Sequence, residues 1–327
     1  MKICLYGSPV LGFRNKLTSQ LPQNFQITSL DYDASDSEKK RILSETQVIV
    51  GVRYDDTIKE YSEPLLFQVP GIGYDEVNFS IIPNKTTVCN VGAHEYAVSE
   101  FVILGMLQSY QHFMEANQDF KRGSWARSSR FEAKPHRELF GSTAAILGYG
   151  RIGKEIARKL KTFGVTTYIC NRTQVKPDGF FKKQFHIEQL NEMAAISDFL
   201  IISIALTNQT RSIVDTKTLK NLGFSGVLIN ISRGPVIDEK SLYLAVKNKI
   251  IATAIIDVWY NYPKNKQDIH ARPSQYDFTP FNNILMTPHL SGWSEGTIER
   301  RWSFISENIL RLFRGEKLEN VVRLCIT

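Results

Sequence analysis

Short apolar runs alternate with amphipathic segments along most of this chain of 327 residues. Runs rich in β-branched residues predict strands that are buried on both faces, and the segments between them have the spacing of helices. The predicted strands cover residues 3–6, 48–52, 87–90, 144–147, 167–170, 199–204, 227–231 and 252–257. Because the strands form two separate sets with helices between them, the pattern predicts an α/β fold with two doubly wound parallel sheets.

Three glycines, Gly148, Gly150 and Gly153, stand between a predicted strand and a periodic apolar segment that runs to residue 164. The first permits a tight turn, the second lets the backbone approach a pyrophosphate, and the third lets the helix pack close to the strand. The amides at the start of that helix, at Arg151 and Ile152, would face the phosphates. The segment predicts a Rossmann-like dinucleotide site, and an ordinary βαβ turn is the alternative.

The tip of the next strand indicates which dinucleotide binds. Asn171, Arg172 and Thr173 stand where an Asp or Glu would bind the ribose hydroxyls of NAD. A guanidinium flanked by neutral hydrogen-bonding side chains suits a 2′-phosphate. The sequence therefore predicts that NADP(H) is preferred and that NAD(H) is a possible cofactor. In the alternative interpretation, Arg172 faces solvent and both cofactors are tolerated.

An apolar, helix-compatible stretch at residues 95–110 leads into a polar arm at residues 121–139. A last apolar helix near residues 298–313 would return to the first domain and make that domain discontinuous. We therefore predict a substrate-binding domain at 1–95 plus 291–327 and a dinucleotide-binding Rossmann domain at 96–290.

Composition excludes several classes of protein. With 43% hydrophobic and 22% charged residues, the chain is typical of a globular protein, and no apolar run is long enough to cross a bilayer. The first residues are too short in apolar length for a signal peptide, so we predict a cytoplasmic location and no membrane partner. The basic residues behind the net charge of +7 are dispersed along the chain, which argues against nucleic acid, and we assign this charge to solubility and an anionic ligand.

The four cysteines, Cys4, Cys89, Cys170 and Cys325, lie singly and without the spacing of a metal site or of a disulfide framework. We predict reduced thiols in apolar or strand-like surroundings, and no metal.

Three later stretches add candidate chemistry to the nucleotide site. A predicted strand ends at Arg233, the next delivers Asp257, and a Pro-His turn places His289 after the following strand. The carboxyl edge of such sheets is where ligands bind. Taken singly, these residues could be an ion-pair partner, a helix cap and a core imidazole. Together, in this order after a glycine-rich loop, they favour an enzyme.

The chain resembles the D-isomer-specific 2-hydroxyacid dehydrogenase family, which includes glyoxylate/hydroxypyruvate reductases, phosphoglycerate dehydrogenase and formate dehydrogenase. The resemblance extends over nearly the whole length. It is carried by residues 71–75 with 77–78, 97–100, 123–125, the loop at 148–153, and the stretches that contain Arg233, Asp257 and His289.

The resemblance implies a role for each matching position. Arg233 would hold the carboxylate and keto oxygen of a small-molecule acid, and His289 would be the general acid and base. The backbone N–H groups of Ile72 and Gly73 would bind the carboxylate, and Asp257 would contact the nicotinamide end. A homodimer is also implied. His94 stands near the expected cleft, where contact with substrate and a purely structural role are both open.

One position departs from the family pattern. The family usually has a Glu five residues after the Asp257 position, paired with the catalytic His, whereas this chain has Tyr262. A phenol can hydrogen-bond an imidazole but supplies no negative charge to stabilise imidazolium, so His289 should titrate lower than in a Glu-paired relative.

We therefore expect an NAD(P)-dependent oxidoreductase that transfers a hydride between nicotinamide C4 and a small 2-oxo or 2-hydroxy acid. The alternative is a dinucleotide-sensing binding protein or corepressor-like module with weak or no turnover, which only the loss of the Glu favours.

Overall fold

The computed structural model describes residues 1–131, 133–263 and 268–324. The chain divides into two compact units, Met1–His94 with Ser294–Thr327, and Glu95–Trp293. The boundaries at 94/95 and 293/294 lie one and three residues from those expected. The second boundary lies later because Ser294 begins the last helix by accepting a hydrogen bond from the Thr297 N–H.

The first unit contains a six-stranded sheet in the order β13-β5-β4-β3-β1-β2, with elements numbered along the whole chain. Its strands are β1 (Lys2–Tyr6), β2 (Gln26–Leu30), β3 (Val48–Gly51), β4 (Leu66–Gln68), β5 (Thr87–Cys89) and β13 (Val321–Arg323), of which only β13 runs antiparallel to its neighbour. Its helices are α1 (Ser8–Leu11), α2 (Arg14–Gln20), α3 (Asp36–Leu43), α4 (Asp56–Tyr61) and α11 (Glu295–Arg314).

The last helix confirms that the first domain is discontinuous. Trp302, Ile305 and Ile309 of α11 are buried in the same apolar cluster as Ile3 of β1 and Leu17 of α2. A second apolar cluster in this unit includes Tyr54 and Phe67. The core therefore has two parts, as expected for parallel strands that are buried on both faces.

The second unit contains a seven-stranded, wholly parallel sheet in the order β12-β11-β10-β9-β6-β7-β8. Its strands are β6 (Thr143–Leu147), β7 (Thr166–Asn171), β8 (Lys183–His186), β9 (Phe199–Ile202), β10 (Val227–Asn230), β11 (Thr253–Ile256) and β12 (Ile284–Met286). Its helices are α5 (Glu95–Gln111), α6 (Phe113–Lys121), α7 (Arg151–Thr162), α8 (Leu190–Ala195), α9 (Thr216–Leu222) and α10 (Glu239–Lys247).

Each predicted strand is present, and the two-sheet α/β fold is confirmed. Strands β2, β4, β8 and β13 were not predicted, and β12 was expected before the Pro-His turn without a predicted range. These five strands are short or contain polar residues at positions where the predicted strands are apolar. The reversal of strand order on either side of β6 and β9 creates a crevice at the carboxyl edge, which is where doubly wound sheets bind ligands.

Candidate active site

The glycine-rich loop joins β6 to α7 in the second unit. Gly148 has φ +95°, and a Cβ atom there would lie 2.7 Å from the backbone of Ile204. Gly153 packs so closely that its Cβ atom would lie 2.3 Å from the Gly148 carbonyl oxygen. By contrast, a Cβ atom at Gly150 would have no described residue within 4 Å apart from its chain neighbours. The loop is therefore packed against the protein at two glycines and open at the third, as a bound pyrophosphate requires.

Helix α7 begins at Arg151, directly after this loop, so the amides of its first turn, including that of Ile152, lie beside Gly150. Its buried face contains Gly153, Ile156, Ala157 and Leu160. The helix ends at Thr162, and the side chain of Phe163, which follows it in the same apolar segment, is 39% exposed and lies outside this buried face.

The middle residue of the loop is held by a segment that sequence reasoning missed. The Tyr149 hydroxyl lies 3.1 and 3.0 Å from the two carboxylate oxygens of Asp178, which also pairs with Lys154 at 3.3 Å. The Tyr149 ring contacts Phe181 edge to face, with centroids 5.2 Å apart. These contacts fix the loop between Gly148 and Gly150 to the segment that follows β7.

The tip of β7 borders a cavity of about 450 Å³. Asn171, Arg172 and Thr173 form one wall, Glu188 after β8 contributes another, and the loop after β9 closes the far side. The Asn171 side chain donates to the Thr173 carbonyl at 3.2 Å, which orders the turn. The carboxylate of Glu188 was missed because β8 itself was not predicted. The cavity thus presents a guanidinium and a carboxylate to a ligand.

Arg233, Asp257 and His289 follow β10, β11 and β12, which are neighbours in the sheet. The structure therefore brings all three to one carboxyl edge. The backbone around Arg233 is fixed by Asn230, whose side chain donates to the Arg233 carbonyl at 3.0 Å and accepts from the Ser232 N–H at 3.1 Å.

The carboxylate of Asp257 is fully buried and organises the turn that contains His289. It accepts hydrogen bonds from the Thr287 hydroxyl at 2.6 Å, the Leu290 N–H at 2.8 Å and the Ser291 N–H at 3.0 Å. His289 itself has φ +58°, which non-glycine residues adopt only when the surroundings compensate. Asp257 supplies that compensation, a role that the sequence did not reveal.

The imidazole of His289 has a pKa below its usual value. The main cause is partial desolvation by surrounding protein atoms, which disfavours the charged form although part of the residue stays exposed to water. The Asp257 carboxylate opposes this shift, and the Arg233 guanidinium adds to it. This shift is relative to a free imidazole and arises mainly from burial, so the expectation that His289 titrates lower than in a Glu-paired relative stays a prediction.

Tyr262 lies beside His289, with ring centroids 5.6 Å apart and planes inclined at 54°. Its hydroxyl accepts a hydrogen bond from the Trp259 N–H at 3.2 Å. The residue in the usual Glu position therefore contacts the catalytic candidate through its ring. It brings no charge, and its expected hydrogen bond to the imidazole stays a prediction.

The candidates in the first unit belong to the loop after β4 and to the end of that unit. The carbonyl oxygens of Gly71 and Ile72 accept from the Val91 N–H at 3.1 Å and the Asn90 side chain at 2.9 Å, which anchors the loop before Gly73. His94 lies against the Gly92 carbonyl through Nδ1 at 3.0 Å and against Arg301 through Nε2. Both ring nitrogens of His94 thus have contacts within this unit, and its contact with substrate stays a prediction.

The cysteines of the described part of the chain lie in the core. Burial raises the pKa of Cys4, Cys89 and Cys170 to about 12, so these thiols stay protonated near neutral pH, while Cys325 lies outside the described residues. Within residues 1–131, 133–263 and 268–324, no group of three or more His, Cys, Asp or Glu side chains is placed to hold a metal ion. No helix in those ranges is long and apolar enough to cross a membrane.

Comparison with known proteins connects this geometry to a family. Residues 103–291, more than half of the chain, match the family model described as "D-isomer specific 2-hydroxyacid dehydrogenase, NAD binding domain". The chain belongs to the D-isomer specific 2-hydroxyacid dehydrogenase family. This is a family of NAD(P)-dependent oxidoreductases, and the resemblance seen in the sequence motifs is confirmed.

Relatives with assigned names include D-3-phosphoglycerate dehydrogenase of Methanocaldococcus jannaschii, 27% identical over 82% of this chain and 49% of its own length. The glyoxylate reductase of Korarchaeum cryptofilum is 26% identical over 93% of this chain and 91% of its own length. The match therefore spans about half of the first relative and nearly all of the second.

Solved structures of this 2-hydroxyacid dehydrogenase family match the chain nearly end to end. A 2-hydroxyacid dehydrogenase from Ketogulonicigenium vulgare has a TM-score of 0.83 at 24% identity, with 99% of each chain covered, and establishes the fold. An NADPH-dependent glyoxylate/hydroxypyruvate reductase from Sinorhizobium meliloti has a TM-score of 0.78 at 25% identity, covering 98% of this chain and 97% of its own.

Two glycines of the loop are expected to respond differently to alanine. Gly150→Ala should leave the melting temperature nearly unchanged but weaken dinucleotide binding, because its Cβ would occupy the open face. Gly153→Ala should destabilise the fold by about 1–3 kcal/mol through overpacking against the Gly148 carbonyl. Thermal melting and fluorescence titration with NADPH measure the two effects. Unchanged NADPH affinity in Gly150→Ala would place the pyrophosphate elsewhere.

Proposed function

We propose that this protein is an NADP(H)-preferring reductase that interconverts a small 2-oxo acid and the corresponding 2-hydroxy acid. One observation carries the proposal. The Arg233 guanidinium and the His289 imidazole follow strands β10 and β12 at the same sheet edge that presents the glycine-rich loop. An anionic oxo acid needs both a fork-shaped cation and a group that can donate a proton to the carbonyl oxygen. Because the pKa of His289 is lowered, reduction should be faster below neutral pH, where more of the imidazole is protonated.

The described residues fit a nicotinamide dinucleotide. The open face at Gly150 and the first-turn amides of α7 suit the pyrophosphate, and the cavity beside β7 suits the adenosine end. Asp257 would lie at the nicotinamide end, as the family resemblance implies. When bound, the reduced cofactor supplies a hydride from nicotinamide C4.

Each candidate side chain has a distinct part in the reduction. Arg233 binds the carboxylate and keto oxygen of the substrate through charge-assisted hydrogen bonds. As hydride adds to C2, the electron pair of the carbonyl moves to oxygen, and imidazolium of His289 donates the proton that completes the hydroxyl group. The amides of Ile72 and Gly73 would hold the carboxylate, and His94 is a further candidate for substrate contact.

The names of the relatives support small 2-oxo acids as first substrates. Several are named glyoxylate reductase, and the Sinorhizobium meliloti structure is of an NADPH-dependent glyoxylate/hydroxypyruvate reductase. Glyoxylate and hydroxypyruvate therefore head the panel that we would test. Phosphohydroxypyruvate belongs in the same panel because another relative is named D-3-phosphoglycerate dehydrogenase.

Preference for NADP(H) is supported by Arg172 on the cavity wall, together with Asn171 and Thr173. The carboxylate of Glu188 on the same cavity opposes it, so preference depends on which of the two charges lies nearer the 2′-position. We propose that NAD(H) binds in the same cavity, but more weakly than NADP(H).

A substrate panel tested with both cofactors decides the proposal. We expect absorbance at 340 nm to fall when the oxo acid and NADPH are supplied, with a higher kcat/KM for NADPH than for NADH. Tight binding of NADPH, seen by fluorescence, with no turnover on any oxo acid would instead support a dinucleotide sensor. Absence of binding to either cofactor would contradict both functions.

A homodimer is part of the proposal. Phe113, Phe120, Trp125 and Phe131, from α6 and the polar arm, are each more than half exposed. Large exposed aromatic side chains are typical of surfaces that another protein covers. A cytoplasmic location stays a prediction from the sequence.

Charge at position 262 is expected to set the pH dependence of reduction. Tyr262→Glu places a carboxylate beside His289 and should raise its pKa by roughly one unit, because an opposite charge favours imidazolium. Since reduction uses imidazolium, the pH at which reductive kcat/KM declines should move to a more alkaline value. NMR titration of the imidazole measures the pKa directly.

The matched variant is Tyr262→Phe, which removes the hydroxyl group and its bond to the Trp259 N–H but adds no charge. Its pH profile should coincide with that of the wild type, with a change in rate of roughly 1 kcal/mol at most. A Glu variant whose pH profile does not move would show that position 262 does not act on His289 through charge.

A further inference from the structure

Two walls of the cavity beside β7 are joined by a hydrogen bond. Arg172 Nη1 donates to Gln209 Oε1 at 3.3 Å. Arg172 follows β7, whereas Gln209 lies in the loop after β9, and both side chains line the cavity. The contact therefore fixes the direction of the one guanidinium that we have assigned to the 2′-phosphate.

Gln209 stands on an ordered turn. The Thr207 N–H donates to the Thr210 hydroxyl at 2.7 Å, the Thr210 N–H donates back to the Thr207 hydroxyl at 3.2 Å, and the Thr210 hydroxyl donates to the Ala205 carbonyl at 2.7 Å. These bonds fix the backbone on both sides of Gln209, so its amide is presented to Arg172 from a defined position.

The turn that contains Arg172 is ordered in a similar way. The side chain of Gln184 donates to the Thr173 carbonyl at 2.8 Å and accepts from the Val175 N–H at 2.8 Å. Because both supporting backbones are fixed, less conformational entropy is lost when Arg172 engages a ligand, and a geometry formed in advance strengthens binding.

The Gln209 side chain is neutral, and this matters for phosphate binding as much as its position does. A carboxylate at position 209 would also accept from Arg172, but it would neutralise the guanidinium and repel a phosphate dianion. A neutral amide oxygen orients the same guanidinium and leaves its charge available.

We propose that Gln209 is a specificity-determining residue for the cofactor, one that acts by holding Arg172 toward the 2′-phosphate without neutralising it. This inference rests on the dinucleotide binding proposed above. Cofactor preference is ordinarily inferred from the strand tip alone. Gln209 adds a determinant on the opposite wall of the cavity.

The test is the ratio of the Kd for NADH to the Kd for NADPH, measured on the purified protein by cofactor fluorescence. Gln209→Glu should lower this ratio by about 10-fold, through weaker binding of NADPH with NADH little changed. Gln209→Ala should lower it by about 3-fold. Asn208→Ala, on the same turn but outside the cavity lining, is the matched control and should leave the ratio unchanged.

A double-mutant cycle tests the route through Arg172. In an Arg172→Ala background, Gln209→Ala should have no further effect on the ratio, since the guanidinium that it orients is absent. A full additional effect there, or equal weakening of both cofactors by Gln209→Glu, would overturn the proposal. So would a Glu variant whose ratio equals that of the Asn208 control.

The same measurements separate this inference from the proposed function. A wild type that binds neither cofactor overturns both. A wild type that binds NADPH, with a ratio that none of the Gln209 variants alters, overturns only the role of Gln209. A wild type that favours NADH overturns the preference stated above, while a further fall of the ratio in Gln209→Glu would still support the role of position 209.

Discussion

Replacing His289 is expected to lower kcat for oxo-acid reduction by about 10²–10⁴-fold, the usual cost of losing a general acid. The reason is that no proton would reach the developing alkoxide at the moment of hydride transfer. Binding of NADPH should change little, because His289 is not among the groups assigned to it, which belong to the glycine-rich loop, the cavity beside β7 and Asp257. Steady-state kinetics and fluorescence titration measure the two effects separately.

The backbone at His289 makes the choice of substitution important. Its φ of +58° is strained for alanine but is tolerated by asparagine, so His289→Asn keeps the turn while it removes the acid. We expect His289→Ala and His289→Asn to lose kcat to a similar extent, with the asparagine variant melting closer to the wild type. Near-normal turnover by the asparagine variant would remove His289 from the mechanism.

The fold was predictable because its determinants are local and repeated. Buried parallel strands such as β6 and β10 consist almost wholly of apolar residues. The spacing of the glycines from Gly148 to Gly153 is the motif that indicates a dinucleotide site. Strand β8, with the sequence Lys-Gln-Phe-His, has one buried residue and carries no such signal. Its position is set by pairing with β7, which is a tertiary property.

The positions of Arg233, Asp257 and His289 at the sheet edge were also predictable, since each follows an apolar strand. The contacts that fix the loops around the candidate site could not be predicted. The hydrogen bond between Tyr149 and Asp178 joins residues 29 positions apart in the sequence, and that between Arg172 and Gln209 joins residues 37 positions apart. Such contacts join loops at different strand ends, and only the strand order of the sheet brings them together.

Asp257 has a structural role beyond the one that the sequence suggested. The family resemblance implied contact with the nicotinamide end, which stays a prediction. The structure adds that its carboxylate accepts three hydrogen bonds from residues 287–291. A site is therefore defined as much by what orients a catalytic candidate as by the candidate itself.

Asp257→Ala is expected to destabilise the second unit by roughly 3 kcal/mol, because the N–H groups of Leu290 and Ser291 and the Thr287 hydroxyl would lose their buried acceptor. The turn would relax, and a displacement of His289 by about 1 Å would lower kcat by about 10²-fold.

Asp257→Asn preserves the shape of the side chain and removes its charge. Since the Asp257 charge raises the pKa of His289, its loss should lower that pKa further, and reductive kcat/KM should decline at a lower pH than in the wild type. Thr287→Val is the control, because it removes one of the three hydrogen bonds and leaves the charge in place. Its stability should fall by about 1 kcal/mol with no movement of the pH profile. If Asp257→Asn and Thr287→Val give the same pH profile, Asp257 acts on His289 through geometry alone.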